Sequence, residues 1–179
     1  MPTETKQRSV ISLLPIDGID IKERIRLSIE LHYEIYIDRN RNYGSSVVYI
    51  DGDRISFFHV SDKGVKRYDV TGWDDEKIFY KLSVERSFSM LERFPISWFK
   101  KSFVNNGKLY AYSDRQLIVF DVRFSDRIRK LGHFVRADCN IVDVVVLENG
   151  NILMCSWYDY EFGFKGEDIS YLYLLKDPR

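Results

Sequence analysis

The side chains that most often bind metals are few in this sequence and stand far apart. His32, His59 and His133 are isolated, and neither Cys139 nor Cys155 has a neighbour at the spacing of a metal ligand pair. A zinc site needs three or four such ligands close together. The sequence therefore predicts no metal site and two free thiols.

Three short segments begin like catalytic or ligand-binding motifs but lack the residues that complete them. Asp51-Gly52-Asp53 starts like a calcium loop without the later ligands, and Asn106-Gly107-Lys108 fits a hairpin turn better than a phosphate-binding loop. Gly44-Ser45-Ser46 is not a nucleophile elbow. We therefore expect no catalytic residue, no cofactor and a protein that is not an enzyme, although a site assembled from loops stays open.

Basic residues are concentrated in residues 123–136, where Phe124, His133 and Phe134 are interleaved with them. The basic residues are Arg123, Arg127, Arg129, Lys130 and Arg136. One hypothesis is a nucleic-acid patch with stacking aromatic side chains. The alternative is a solvated strand edge, where positive charge blocks pairing with another chain. The formal net charge of zero supplies no supporting field and favours the alternative.

A long loop over residues 158–168 alternates aromatic with acidic residues. Its aromatic residues are Tyr158, Tyr160, Phe162 and Phe164. Tyr and Phe are enriched where proteins contact one another, so we predict that these four side chains bind a partner. The alternative is that the loop folds back over an open end of the core.

The composition indicates that β-strands position these groups. The chain has 179 residues, of which 15% are aromatic, including 12 Tyr and 12 Phe, and only two are alanine. Aromatic residues favour strands and alanine favours helices. No apolar run is long enough for a signal core or a membrane helix. We therefore expect a soluble cytoplasmic protein with no membrane contact.

Alternation and turn residues divide the chain into strands. Residues 1–9 are expected to form a flexible tail and residues 10–179 a single β domain. Apolar residues alternate with polar ones over residues 27–38, which predicts a long half-buried strand or two strands that are continuous in sequence. Asp51-Gly52 and Asn149-Gly150 predict hairpins. Residues 85–102 have a more helical spacing and are predicted to form a short helical connector.

Two of the hairpins repeat at an offset of 62 positions. This offset places residues 47–60 on residues 109–122 without a gap, so that Phe57 and Phe58 fall on Val119 and Phe120. A third copy starts near Ile152 and is interrupted by the long loop. Repeats of this kind are typical of architectures built from stacked identical units.

These segments resemble β-propeller blades of the WD type or a related type, with Phe120-Asp121 in the place of the Trp-Asp pair. The resemblance implies blade-like units near residues 27–82, 103–135 and 141–176. Three units fall short of the four to eight that close a propeller. The expected fold is therefore all-β and mainly antiparallel, either a propeller-like stack of about three blades or a bent β-sandwich.

These observations together predict a protein-interaction or scaffold module that has no enzymatic activity. Open strand edges and an incomplete ring need a cover, so the expected partner is another protein or a second copy of the chain, and an oligomer is expected. The alternative function is a nucleic-acid-associated protein that uses the basic residues 123–136.

Overall fold

The computed structural model describes residues 9–40, 44–93, 99–136, 139–158 and 170–178. Within these ranges the chain is an antiparallel β protein with two helices, α1 (Ile21–Asn40) and α2 (Met90–Arg93). The strands are β1 (Ser9–Ser12), β2 (Gly44–Asp51), β3 (Arg54–Ser61), β4 (Gly64–Trp73), β5 (Lys77–Ser87), β6 (Lys101–Asn105), β7 (Lys108–Tyr112), β8 (Gln116–Asp121), β9 (Arg129–Val135), β10 (Cys139–Val146), β11 (Ile152–Tyr158) and β12 (Ser170–Leu175). The predicted all-β class is confirmed.

The strands form three sheets, in which β2–β5, β6–β9 and β10–β12 follow the chain as antiparallel meanders, while β1 joins the first sheet beside β5. The first sheet has the order β1-β5-β4-β3-β2, the second β6-β7-β8-β9 and the third β10-β11-β12. The predicted turns connect the strands: Gly52 and Gly150 have φ of +58° and +82°, which glycine adopts at little cost. The residues of these turns therefore allow consecutive strands to pair as antiparallel neighbours.

The three sheets stack face to face, with the second sheet in the middle. Phe58 and Val60 of the first sheet pack against Ala111 and Phe120 of the second. The opposite face of the second sheet packs against the third sheet through a separate cluster. All six residues of β8 are buried, because this strand is covered on both faces.

The outer face of the first sheet is covered by α1. Phe57 and Ile78 on this face are fully buried, and they share an apolar cluster with Ile25 and Ile29 of the helix. Ile11 of β1 belongs to the same cluster. One end of the stack is therefore closed by elements from the N-terminal part of the chain.

The predicted strand over residues 27–38 is wrong, because these residues lie in α1. The helix begins after Asp20, whose carboxylate accepts a hydrogen bond from the Lys22 backbone N–H at 3.0 Å and so caps the first turn. Ile25 and Ile29 are four residues apart, which places both on the helix face that meets the sheet. None of the helices among the described residues is long and apolar enough to span a bilayer.

The predicted connector over residues 85–102 contains a helix, but only the four residues of α2. Residues 85–87 belong to β5, a strand that the sequence pattern did not reveal. Phe88 and Phe99, within the predicted connector, are buried in the cluster between the first and second sheets. Of the predicted tail, Ser9 begins β1.

The hairpins that match at an offset of 62 hold different positions in their sheets. β2 lies at the edge of the first sheet, whereas β7 is the second strand of its sheet. The neighbour of β2 in the stack is β6, with Ser45 Oγ and Ser102 Oγ 2.9 Å apart. The sequence match therefore reflects a shared strand–turn–strand pattern and not equivalent strands.

Candidate protein-interaction surface

The third sheet is built around β11, which pairs with both of its neighbours. β10 and β11 form the hairpin predicted from Asn149-Gly150, and its turn is closed by a hydrogen bond from Leu147 N to the Asn151 carbonyl at 2.8 Å. β12 pairs with the other edge of β11 in an unbroken register from Trp157–Ser170 to Ile152–Leu175. The register fixes which side chains share a face.

The inner face of the third sheet is apolar and buried against the second sheet. Ile141, Val144, Ile152 and Met154 share a cluster with Tyr110 and Leu117 of the second sheet. Alternate positions of β11 are buried, which is the pattern of a strand with one covered face.

The outer face of the third sheet is also apolar, but it is open to solvent. We define this outer face by Val145, Leu153, Cys155, Trp157, Leu172 and Leu174. Leu153 lies opposite Val145 on one side and Leu174 on the other, and Cys155 lies opposite Leu172. Leu172 is 69% and Leu174 64% exposed, although both are strand residues. The row Val145–Leu153–Leu174 is apolar on all three strands, whereas Asp143 stands beside Cys155 in the next row, and Asn140 and Ser170 flank Trp157 in the third.

This face is unusual for a solvated sheet surface. Antiparallel sheets with one wet face normally alternate apolar and polar residues, whereas β12 reads Ser-Tyr-Leu-Tyr-Leu-Leu. Near-continuous apolar runs are typical of strands covered on both faces, as in β8. A three-stranded face six residues long measures about 14 by 20 Å, which is close to the lower end of the sizes of the largest apolar patch on monomeric proteins, and such patches are often functional.

One acidic residue stands within the rows of the outer face. Asp143 pairs with Cys155 across the β10–β11 ladder. Its carboxylate accepts a hydrogen bond from the Tyr112 hydroxyl at 3.0 Å and lies 3.8 Å from Lys101 Nζ, both on the second sheet. Burial and the bond to Asp143 raise the pKa of Tyr112 to about 12, so this hydroxyl stays a donor. The charge of Asp143 is therefore directed away from the outer face.

Four aromatic residues were predicted to bind a partner, and in sequence they lie at the end of β11 and after it. Tyr158 is the last residue of β11, while Tyr160, Phe162 and Phe164 lie outside the described residues. The outer face itself was not recognised from the sequence. The signal for it was present, because residues 152–155 and 171–175 are apolar at both parities.

The proposed basic patch is engaged in contacts within the chain. Arg123 and Arg129 both pair with the buried Asp121, at 2.7 and 3.3 Å. The hydrogen bonds from Arg123, with its positive charge, lower the pKa of Asp121 to about 2 against the opposing effect of burial. The two arginines thus neutralise a carboxylate at the end of β8.

The other three basic residues also have neighbours within the chain. Lys130 lies 2.9 Å from the buried carboxylate of Glu92. Arg136 donates to the Tyr173 hydroxyl at 2.9 Å, and the guanidinium of Arg127 lies over the Phe124 ring. These contacts hold the third sheet and α2 to the second sheet and do not favour a phosphate-binding role.

The histidines and the possible metal ligands lie apart in the described part of the chain. There, no three His, Cys, Asp or Glu residues lie close enough to hold a metal ion. On the first sheet, His59 Nδ1 shares a hydrogen bond with Ser46 Oγ at 3.0 Å. On the second sheet, His133 Nε2 lies 3.1 Å from Gln116 Oε1. A shallow cleft of about 430 Å³ lies along β6 and β10, lined by Phe103, Val145 and neighbouring residues.

Comparisons with known proteins give no relative for this chain. No protein-family model, curated protein or solved structure matches it.

Proposed function

We propose that this protein is a non-enzymatic interaction module, a propeller-like stack of sheets that docks a partner protein on the outer face of its third sheet. The observation that carries the proposal is the exposure of Leu172 and Leu174 on a face with the composition of a covered layer. Burying each leucine would stabilise a complex by about 1 to 2 kcal/mol.

The contrast between the two ends of the stack supports the proposal. The first sheet also has an apolar outer face, but α1 covers it with Ile25 and Ile29. The third sheet has no equivalent cover among the described residues. A partner that supplies an apolar surface would complete the layer in the way that α1 does at the other end.

The propeller-like assignment rests on the arrangement of the meanders. Three antiparallel meanders follow one another in the chain and stack face to face, and the first strands β2 and β6 are neighbours. In a stack of this kind, the outer face of the last sheet is available for a partner. The aromatic residues Tyr158, Tyr160, Phe162 and Phe164 stay a prediction as additional partner contacts.

Site-specific photocrosslinking in cells tests the proposal. Benzoylphenylalanine replaces Leu172, or replaces Leu82 as a matched control, since Leu82 is an exposed strand residue of the first sheet. We expect a discrete adduct from position 172 that is lost when Leu174→Lys is added, and none from position 82. No adduct from position 172, or equal adducts from both positions, would contradict the proposal.

A further inference from the structure

We propose that the partner on the outer face is a second copy of this chain, so that two third sheets pack face to face about a two-fold axis. This inference rests on the proposed function, because it names the occupant of the same surface. The chain already packs sheet on sheet twice, through two separate apolar clusters. A second copy would offer the same kind of layer.

The covered end of the stack determines how two copies can meet. A head-to-tail arrangement would place the third sheet of one copy on the first sheet of the next, but α1 occupies that face. Two third sheets can meet without displacing any helix or strand of the described residues. An interface formed by the same patch on both copies closes after two subunits and leaves no open end for further growth.

The charge pattern of the outer face permits self-association. The register places one charged residue among the six, Asp143 opposite Cys155, so each copy brings one carboxylate to a self-interface. That carboxylate is turned toward Tyr112 and Lys101 of its own chain. A partner that carries a charged surface would lose the hydration of those charges on this face without gaining an ion pair.

The size of the face predicts a weak dimer. Its flat footprint is about 14 by 20 Å per copy, and interfaces that bury less than about 1,200 Å² of accessible surface in total are typical of weak or transient contacts. Leu172 and Leu174 supply much of the apolar surface available for burial. We therefore expect a dimer with a Kd in the micromolar range that dissociates on dilution.

Sedimentation velocity over about 1 to 300 µM protein tests the inference. Wild type is expected to shift from monomer to dimer, and Leu172→Lys is expected to weaken association at least tenfold, because two lysines would be desolvated near the axis. Leu82→Lys, at an exposed site on the first sheet, should leave association unchanged. Leu174→Lys provides a second variant if Leu172→Lys does not fold.

Cys155 reports the geometry of the dimer directly. It is exposed in the middle strand of the face, and facing sheets pack about 10 Å apart. In a Cys139→Ser background, a short bismaleimide should give a covalent dimer through Cys155. A dimer that resists this cross-link, or that is insensitive to Leu172→Lys, would overturn the face-to-face arrangement.

The two proposals can fail separately. A wild type that stays monomeric up to 300 µM overturns the second-copy inference. If position 172 still gives a discrete photoadduct with a different protein, the proposed function stands without it. If the protein is monomeric and position 172 gives no adduct, both proposals fail.

Discussion

Glu92 is a buried carboxylate that joins three parts of the molecule. It lies in α2, 2.8 Å from Arg86 of β5 and 2.9 Å from Lys130 of β9, and it also accepts a hydrogen bond from the Ser89 backbone N–H. Burial raises the pKa of Glu92, but the bonds from Arg86, Lys130 and Ser89 outweigh it and bring the pKa to about 2. The first and second sheets are thus linked by one acid.

Glu92→Gln should lower the free energy of unfolding by about 2 to 4 kcal/mol at pH 7, because two cations lose their buried partner. The matched control is Glu85→Gln, whose exposed pair with Lys66 at 3.5 Å should contribute less than about 1 kcal/mol. Urea unfolding of the two variants gives the comparison. Equal losses would mean that Glu92 has no special role.

His59 makes stability depend on pH. Burial in β3, together with the charge of Lys66, lowers the pKa of His59 to about 4. Between pH 6.5 and 4 the unfolded chain binds a proton that the folded protein does not, so the free energy of unfolding falls as the pH is lowered. The loss by pH 4 is at most about 3 kcal/mol.

Replacement of His59 by Gln should remove most of this pH dependence, as measured by urea unfolding at pH 7, 6 and 5. His133 is the comparison, because burial and the charge of Lys130 also lower its pKa, against the opposing charge of Glu92. His133→Gln should flatten the profile by a smaller amount. A profile that is as steep in His59→Gln as in wild type would rule out His59 as the source.

At the scale of the element, α1 shows both what alternation predicts and where it misleads. Ile29 and Leu31 fit a period of two, and they fit a strand as well as a helix over so short a window. The helical evidence lies upstream, in the Asp20 cap and in Arg26, which pairs with Glu23 and Glu30 one turn away on either side. The wider window would have favoured the helix.

Ile25→Ala should lower the free energy of unfolding by about 2 to 4 kcal/mol, because the side chain is fully buried between α1 and the first sheet. Leu31→Ala, at an exposed position of the same helix, is the control and should cost less than about 1 kcal/mol. Thermal and urea unfolding followed by circular dichroism measure both. If Ile25→Ala cost no more than Leu31→Ala, α1 would not be the cover that we describe.

The hairpins were predictable and the layers were not. Asp51-Gly52, Asn106-Gly107 and Asn149-Gly150 each adopt the turn that their residues favour, because positive φ at Gly52, Gly107 and Gly150 is a local property. Which strands become edges, and which face lies bare, depends on packing between segments that are distant in sequence. The offset of 62 accordingly found matching hairpins in positions that are not equivalent.

At the scale of the whole molecule, the two ends of the stack differ. α1 closes the first sheet, β8 is buried on both faces, and the outer face of the third sheet is exposed. The apolar runs in β11 and β12 are typical of strands that are covered on both faces. The sequence pattern could not show that one of these faces is exposed in the folded chain. A dimer in which two third sheets pack together would cover the exposed outer face of each copy.

The rate at which a maleimide modifies Cys155 tests most directly whether this face is covered in solution. In a Cys139→Ser background, the rate constant per molecule should be at least about fivefold lower at 300 µM protein than at 1 µM, because the dimer shields the face. The control variant carries Cys139→Ser, Cys155→Ser and Leu82→Cys. Its single thiol should react at the same rate at both protein concentrations. If Cys155 also reacts equally fast at 1 and 300 µM, the outer face is not an interface between copies of this chain.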